Sequence, residues 1–284
     1  MLLNVHLARL ALAAGLAGLL LAAPARAQPA APMHLTLAYD GHLIFKVLEM
    51  RFEENATPDG FGASVRLNSS GILAAFKHFD IAATARGRTE DGVVRPGDFA
   101  YVNHDGKRVR HMQVVWGGGA VTMTTAPAFS NMGDPPATTA QKLISADPLT
   151  QLVRITLASS QSGPCNGDSH FFDGKQYYRL DLVPAGTGFL DDRAKRLGLI
   201  NGVRCTVNYR EVAGFKRKPP EKRNGGLKGP ISIVFGQLGP NGPWVIARMQ
   251  AETPLGYADI ELRGVQLTGA KPRDPAPRPA DSGR

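Results

Sequence analysis

The sequence predicts a mainly β protein: one domain with a large, strongly curved antiparallel sheet, half-barrel or barrel-like, plus one or two short helices. Segments in which apolar and polar residues alternate recur along the chain, Asp-Gly and Gly-rich turns separate them, and helical periodicity is scarce. A length of 284 residues suits one large β domain, and 43% hydrophobic with 20% charged residues is ordinary for a globular protein. We assign this domain to residues 28–269.

The first strands are predicted from an alternation that changes phase. The apolar positions are Met33, Leu35, Leu37 and Tyr39 in the first segment, and Leu48, Met50 and Phe52 in the next. A single extra residue would produce such a shift, because side chains along a strand point to opposite faces with a period of two. We therefore predict a β-bulge near Val47.

Later strands are predicted from the same alternation and from the turns between them. Residues 79–85 and 203–209 each place apolar side chains on one face. Asp105-Gly106, Gly117–Gly119 and Asp173-Gly174 separate apolar segments, and these residue types tolerate the positive φ angles of tight hairpins. The last third adds three strands, Ile231–Gln237, Trp244–Glu252 and Tyr257–Leu267. The pattern indicates about ten to twelve hairpin-linked strands rather than a βαβ sheet.

Helical signals are few. Asp147 followed by Pro148 is typical of an N-cap and a first helical residue, and Leu149, Val153 and neighbouring apolar residues then recur at helical spacing. We expect this helix to pack its apolar face on the sheet. A weaker helical signal covers Gly71–His78, and the segment Pro184–Asn201 is predicted to hold a small helix or a mobile lid.

The two ends of the chain are predicted to lie outside the domain. Residues 1–27 contain Arg9, a run of Ala, Gly and Leu from Leu10 to Ala23, and an Ala-Arg-Ala cleavage signal, the pattern of a secretory signal peptide. Residues 270–284 are rich in proline and lack large apolar side chains, which predicts a disordered tail. We therefore expect an exported, periplasmic protein.

The predicted export determines the expected oxidation state of the two cysteines of the chain. In an oxidising compartment exactly one pair usually forms a disulfide, so Cys165 and Cys205 are predicted to be bonded. The alternative is a Cys165 nucleophile activated by His170. Cys205 occupies an apolar position of a predicted strand, which favours the disulfide.

Catalytic and metal sites find little support in the motifs. The sequence contains no GxSxG and no HExxH, and His104 and His111 flank a hairpin without a third ligand. Glycosidase carboxylates come from distant positions, so the sequence leaves that class open. We predict no catalytic residue, no metal and no cofactor.

The basic residues predict a different kind of contact. The formal net charge is +9, and the densest cluster, which we call the basic loop, comprises Lys216, Arg217, Lys218, Lys222 and Arg223. This loop is either simply solvated or contacts anionic lipid headgroups or an acidic partner. Nucleic acid is a poor candidate, because the protein is expected to be exported and aromatic residues are not interleaved with the basic ones.

Several stretches, in order, resemble a known family. They are Tyr39-Asp40-Gly41, Asp147-Pro148-Leu149, Gly163-Pro164-Cys165, the run Phe172 to Leu180, Arg204-Cys205-Thr206-Val207 and Pro243-Trp244. Together they resemble the bacterial exported family named domain of unknown function three thousand one hundred and eight. The resemblance implies a periplasmic, β-rich protein and lends no catalytic residues. By fold analogy, the architecture of this family is similar to that of periplasmic lipoprotein carriers, whose curved sheet encloses an apolar cavity.

The expected function is therefore non-enzymatic. We expect the protein to bind a lipid or another amphipathic envelope component, with peripheral membrane contact, and to support envelope integrity. The alternatives are a protein-binding or structural module whose sheet interior is solid, and a hydrolase of envelope polymers. An apolar cavity inside the sheet favours the first, and a filled interior favours the second.

Overall fold

The computed structural model describes residues 32–71, 80–105, 108–158, 163–165, 167–217, 229–253 and 256–269. The predicted signal peptide, the predicted tail and most of the weak helix at Gly71–His78 lie outside these residues. The strands, in chain order, are β1 (Met33–His42), β2 (Lys46–Ala56), β3 (Gly60–Ser69), β4 (Asp80–Glu90), β5 (Val93–Asp105), β6 (Arg108–Gly117), β7 (Ala120–Ala126), β8 (Gly167–Phe172), β9 (Tyr177–Thr187), β10 (Leu199–Ala213), β11 (Ile231–Leu238), β12 (Trp244–Thr253) and β13 (Gly256–Gly269). The described residues also form three short helices, α1 (Thr139–Leu143), α2 (Pro148–Thr156) and α3 (Asp192–Arg196).

All of these strands belong to one antiparallel sheet of 13 strands in the order β7-β6-β5-β4-β3-β2-β1-β13-β12-β11-β10-β9-β8. The chain thus builds two meanders, β1 to β7 and β8 to β13, and the first strand of one pairs with the last strand of the other. Met33 lies opposite Gly269 at the start of that pairing. The prediction of a mainly β, antiparallel fold is confirmed.

Several local predictions are confirmed by the register. In the β1–β2 hairpin Gly41 pairs with Leu48 and His42 with Lys46, so Val47 is the extra residue of a bulge. Gly118 and Gly119, between β6 and β7, both have positive φ, 58° and 74°, as a tight hairpin turn requires. The strand number was underestimated, since the part of the chain that the structure describes holds thirteen strands.

A segment between the meanders lies against both edges of the sheet. The edge strands β7 and β8 are not neighbours in the hydrogen-bonded order. Helix α1 contacts β7, and the indole nitrogen of Trp116 donates to the Lys142 carbonyl at 3.2 Å. Four residues further on, Ala146 exchanges backbone hydrogen bonds with β8, its N–H donating to His170 and its carbonyl accepting from Phe172. These contacts cover the open seam of the curled sheet.

Helix α2 lies inside the curl. It contacts β3, β4 and β5 of the first meander and β8 and β12 of the second. Asp147 caps it as predicted, accepting from the Thr150 N–H at 2.8 Å, and both residues are fully buried. The helix thus occupies the interior that two opposed walls of the sheet enclose.

Candidate functional site

An apolar cavity of about 520 Å³ lies between α2 and the wall formed by the second meander. The wall contributes Leu180, Leu182, Val207, Ile233, Phe235, Ile246 and Met249, and the helix side contributes Pro148, Gln151, Leu152, Arg154, Ile155 and Ala158. Cavities of roughly 300–1,000 Å³ with predominantly apolar walls are typical of small-molecule sites. The interior is therefore not filled solid.

The cavity lies beside α2 because one side of this helix packs into the core and another side faces open space. Leu149 and Val153, 2% and 0% exposed, belong to the main hydrophobic core together with side chains of both meanders. Leu152 and Ile155, on an adjacent side of the helix, face the cavity, and Leu152 also packs against that core. The prediction that this helix packs its apolar face on the sheet is thus confirmed for one face, and the other face is the floor of the cavity.

A smaller pocket of about 50 Å³ borders the cavity on the side of β1 and β2. The two spaces share Met50, Leu152, Ile155, Ile246 and Met249 in their walls. Methionine is unbranched and adapts its shape readily, so Met50 and Met249 can move to join the two spaces. The two adjoining spaces are together called the apolar tract along α2.

The polar groups beside the cavity are held by other parts of the protein. Gln151 donates from its amide to the His170 carbonyl at 2.8 Å, and the His170 ring is hydrogen-bonded to the Tyr177 hydroxyl. No aspartate or glutamate occurs among the described residues that line this cavity. The site therefore offers shape and apolar surface rather than a paired-carboxylate arrangement.

Glu54 is buried close to this tract. It is 0% exposed, and its Oε1 has no hydrogen-bond partner among the described residues. Burial raises the pKa of Glu54 to about 8, and the hydrogen bond from Thr156 opposes this shift. The Thr156 hydroxyl lies 2.7 Å from Glu54 Oε2 and 2.9 Å from the Val153 carbonyl. One hydroxyl proton serves both contacts fully only when Glu54 is itself protonated and donates.

The predicted cysteine pair lies at the edge of the cavity. Cys165 and Cys205 are at disulfide-bonding distance, with their Cα atoms 5.7 Å apart. Cys205 is 0% exposed within a second hydrophobic cluster that includes Leu182, Val207 and Phe235. Gly163 and Pro164, just before Cys165, line the cavity. The pair thus fixes this part of the cavity wall to β10.

A second cleft, of about 390 Å³, opens beside the cavity and is called the rim cleft below. Its lining includes Arg95, Trp116, Leu143, Ile144, Ser145 and Arg154. Ile144 and Arg154 line both spaces, so they separate the apolar cavity from the rim cleft. Ile144 is 63% exposed, which leaves an apolar side chain in solvent where the two spaces meet.

The residues predicted for surface contact lie elsewhere. Lys216 and Arg217 are exposed, and Arg217 lies 3.7 Å from Asp134 in a surface ion pair. Neither lines the cavity or the rim cleft, and Lys218, Lys222 and Arg223 lie outside the described residues. Contact of the basic loop with an anionic surface stays a prediction.

The structure also places the remaining candidate residues. His104 lies opposite Val109, and His111 lies opposite Val102, so the two histidines do not face each other in the hairpin. Within the described ranges, no three His, Cys, Asp or Glu side chains are grouped so that they could hold a metal ion. Sequence reasoning missed Glu54, Arg95 and Arg154. For Glu54 a signal exists, because it shares the inward phase of Met50 and Phe52 on β2.

The fold is similar to that of a solved bacterial protein structure. This is the crystal structure of a β-barrel-like protein of domain of unknown function DUF1849 from Brucella abortus, with a TM-score of 0.51 and 12% sequence identity over 84% of this chain and 98% of that one. At this identity the likeness concerns the fold alone. No family model and no curated protein matches the chain. The resemblance to domain of unknown function three thousand one hundred and eight stays a prediction.

Among the described residues, no helix is long and apolar enough to cross a bilayer.

Proposed function

We propose that this protein is a non-catalytic binding protein for a lipid or another amphipathic component of the cell envelope, and that it acts in the periplasm. The observation that carries the proposal is the apolar cavity of about 520 Å³ between α2 and the second meander. Each methylene group moved from water into such a space contributes about 0.8 kcal/mol. A ligand with a hydrocarbon chain is therefore the kind of molecule that this tract favours.

The proposed location has independent support. Residues 1–27 have the pattern of a signal peptide, and a disulfide-distance cysteine pair suits an oxidising compartment. Membership of the exported family of unknown function that the sequence resembles is part of the same proposal. Cell fractionation, together with N-terminal sequencing of the purified protein, tests it, and a cytoplasmic protein that keeps residues 1–27 would contradict it.

The function is tested by asking what the native protein carries. Mass spectrometry of organic extracts from protein purified without detergent is expected to find a stoichiometric lipid or fatty acid. Binding of a fluorescent fatty acid to delipidated protein is expected to be saturable. If no lipid co-purifies and no saturable binding is observed, the proposal fails, and a protein-binding or structural module becomes the better-supported function.

A pair of adjacent substitutions locates the binding. Leu182 is 8% exposed and lines the cavity, whereas its neighbour Val183 is 48% exposed on the other face of β9. Leu182→Trp fills the cavity and should weaken fatty-acid binding by about tenfold or more, the equivalent of roughly two methylene groups. Val183→Trp adds the same side chain outside and should leave binding unchanged. Circular dichroism and thermal melts establish that both variants fold, and equal binding by both would place the ligand elsewhere.

A further inference from the structure

Arg154 carries a positive charge into the boundary between the apolar cavity and the rim cleft. Its Nε and Nη2 donate to the Val94 carbonyl at 3.1 and 2.9 Å, and its Nη1 donates to Gln151 Oε1 at 3.1 Å. A guanidinium has five N–H donors, so these contacts leave about two without an acceptor among the described residues. The contacts fix the orientation of the side chain while leaving part of its hydrogen-bonding capacity free.

Arg95 is the second cation of the rim cleft. Arg95 lies near the start of β5. Its side chain is exposed and lines the same cleft as Arg154. Among the described residues, neither Arg95 nor Arg154 forms an ion pair with a carboxylate. Two like charges in one cleft repel each other, and an anion placed between them would remove that repulsion.

The electrostatic environment of Arg154 agrees with this view. Burial lowers the pKa of the Arg154 guanidinium, the Asp147 carboxylate opposes that shift, and the like charge of Arg95 adds to it. The cost of holding this cation half-buried is thus only partly offset inside the protein. Arginine suits carboxylate and phosphate groups because its planar donors match their oxygen atoms.

We propose that Arg154 and Arg95 bind the acidic headgroup, carboxylate or phosphate, of an amphipathic ligand whose hydrocarbon chain occupies the apolar cavity. The proposal rests on the proposed function and narrows it to anionic amphiphiles. Ile144 and Arg154 border both spaces, so a ligand reaching from one to the other passes between an apolar side chain and a cation. The headgroup then lies at the rim and the chain inside.

Isothermal titration calorimetry on the delipidated protein tests this with four probes: laurate, dodecyl phosphate, dodecanol and inorganic phosphate. The first three share a chain length and differ in headgroup charge. Laurate and dodecyl phosphate should bind at least about tenfold more tightly than dodecanol, since hydrogen bonds to charged groups are stronger than those to a neutral hydroxyl. Inorganic phosphate should bind far more weakly than dodecyl phosphate.

Three charge-removing variants assign the preference. Arg154→Gln and Arg95→Gln should each reduce the preference for the acidic probes several-fold while leaving dodecanol binding unchanged. Arg95 is exposed, so its variant tests the proposal even if Arg154→Gln lowers the stability of the fold. Arg86→Gln is the matched control, because Arg86 is exposed on the outer face of the neighbouring strand β4.

The outcomes separate this proposal from the proposed function. If the three amphiphiles bind equally, and no arginine variant changes that, the headgroup site is refuted while lipid binding stands. If inorganic phosphate binds as tightly as dodecyl phosphate, the rim cleft is a site for free anions and the proposal is again refuted. If no amphiphile binds and no lipid co-purifies, both the proposed function and the headgroup site are refuted.

Discussion

Glu54 is an acidic side chain buried in an apolar interior. An ionised carboxylate with no cation beside it is costly to bury, so the protein keeps this group neutral over the range in which an exposed glutamate would be charged. Its hydrogen bond to Thr156 connects β2 to the last turn of α2. The protonation state of one side chain therefore affects how well the helix is held inside the sheet.

The pKa of Glu54 predicts a dependence of stability on pH. With a value of about 8 in the folded state against 4.5 ordinarily, the folded protein binds more protons than the unfolded chain between these values. The stabilisation is thus complete below the ordinary pKa and is lost as pH rises through the folded one. Urea unfolding should show the free energy of unfolding falling between pH 5 and pH 8, by a few kcal/mol.

Two substitutions isolate the contribution of Glu54. Glu54→Gln should flatten the decline with pH and make the variant more stable than the parent at pH 8. Glu53→Gln is the control, because Glu53 is its partly exposed neighbour, with a 39% exposed side chain paired to Arg51. An unchanged pH slope in Glu54→Gln would mean that Glu54 does not titrate in this range.

The candidate site shows what the sequence can and cannot predict at this scale. Cys165 and Cys205 could be paired from their number and the expected compartment alone. Arg95 and Arg154 could not be associated, because they come from β5 and α2 and meet only when the helix enters the sheet. In the sequence Arg154 is simply one charged residue in a helix, and nothing marks it as lacking a counter-ion.

Among the elements, α2 and the segment after it have the most direct effect on the cavity. The helix is its floor, and the chain then returns to β8 through Gly163, Pro164 and Cys165. Cys165 attaches this return to β10, and Arg204 on the same strand holds the carbonyl of Ala185 with two hydrogen bonds at 3.2 and 3.0 Å. The disulfide therefore connects the end of the helical segment to the wall that it faces.

Removing the disulfide should loosen this wall. The cysteines are separated by 40 residues, so in the chain-entropy account the bond contributes roughly 4 kcal/mol to stability. Dithiothreitol, or the pair Cys165→Ala and Cys205→Ala, should lower the melting temperature and weaken fatty-acid binding. Dithiothreitol added to the alanine pair is the control and should have no further effect; equal melting of oxidised and reduced parent protein would contradict the expectation.

The elements themselves were predicted unequally. The bulge at Val47 and the start of α2 at Pro148 follow from local rules, phase change in one case and capping in the other. Strand β3 was not predicted, although Phe61, Ala63 and Val65 alternate with polar or small residues, because its glycines and alanine give a weak apolar signal. The open space beside α2 had no local signature, since it depends on how far the helix stands from the far wall.

For the whole molecule, the cavity lies where two hydrophobic clusters meet. Each wall of the curl is built from hairpins formed within one meander, and the main core cluster joins α2 to side chains of both meanders. The second meander has a further cluster around Cys205, against which Ile155 of α2 packs. Ile155 also lines the cavity, so the open space lies between the helix and this second cluster.

The pairing of β1 with β13 has a consequence for folding. Met33 and Gly269 are register partners, so the contact that joins the two meanders is also the one most distant along the chain. Relocating the chain ends removes that distance: a circular permutant that joins Gly269 to Met33 by a short linker, and opens between the exposed residues Ser130 and Asn131, turns all thirteen strands into sequential neighbours. We expect it to keep the fatty-acid affinity and to refold faster in stopped-flow experiments, because its contact order is lower. A permutant that refolds at the parental rate would show that the pairing of β1 with β13 is not the rate-limiting step of folding.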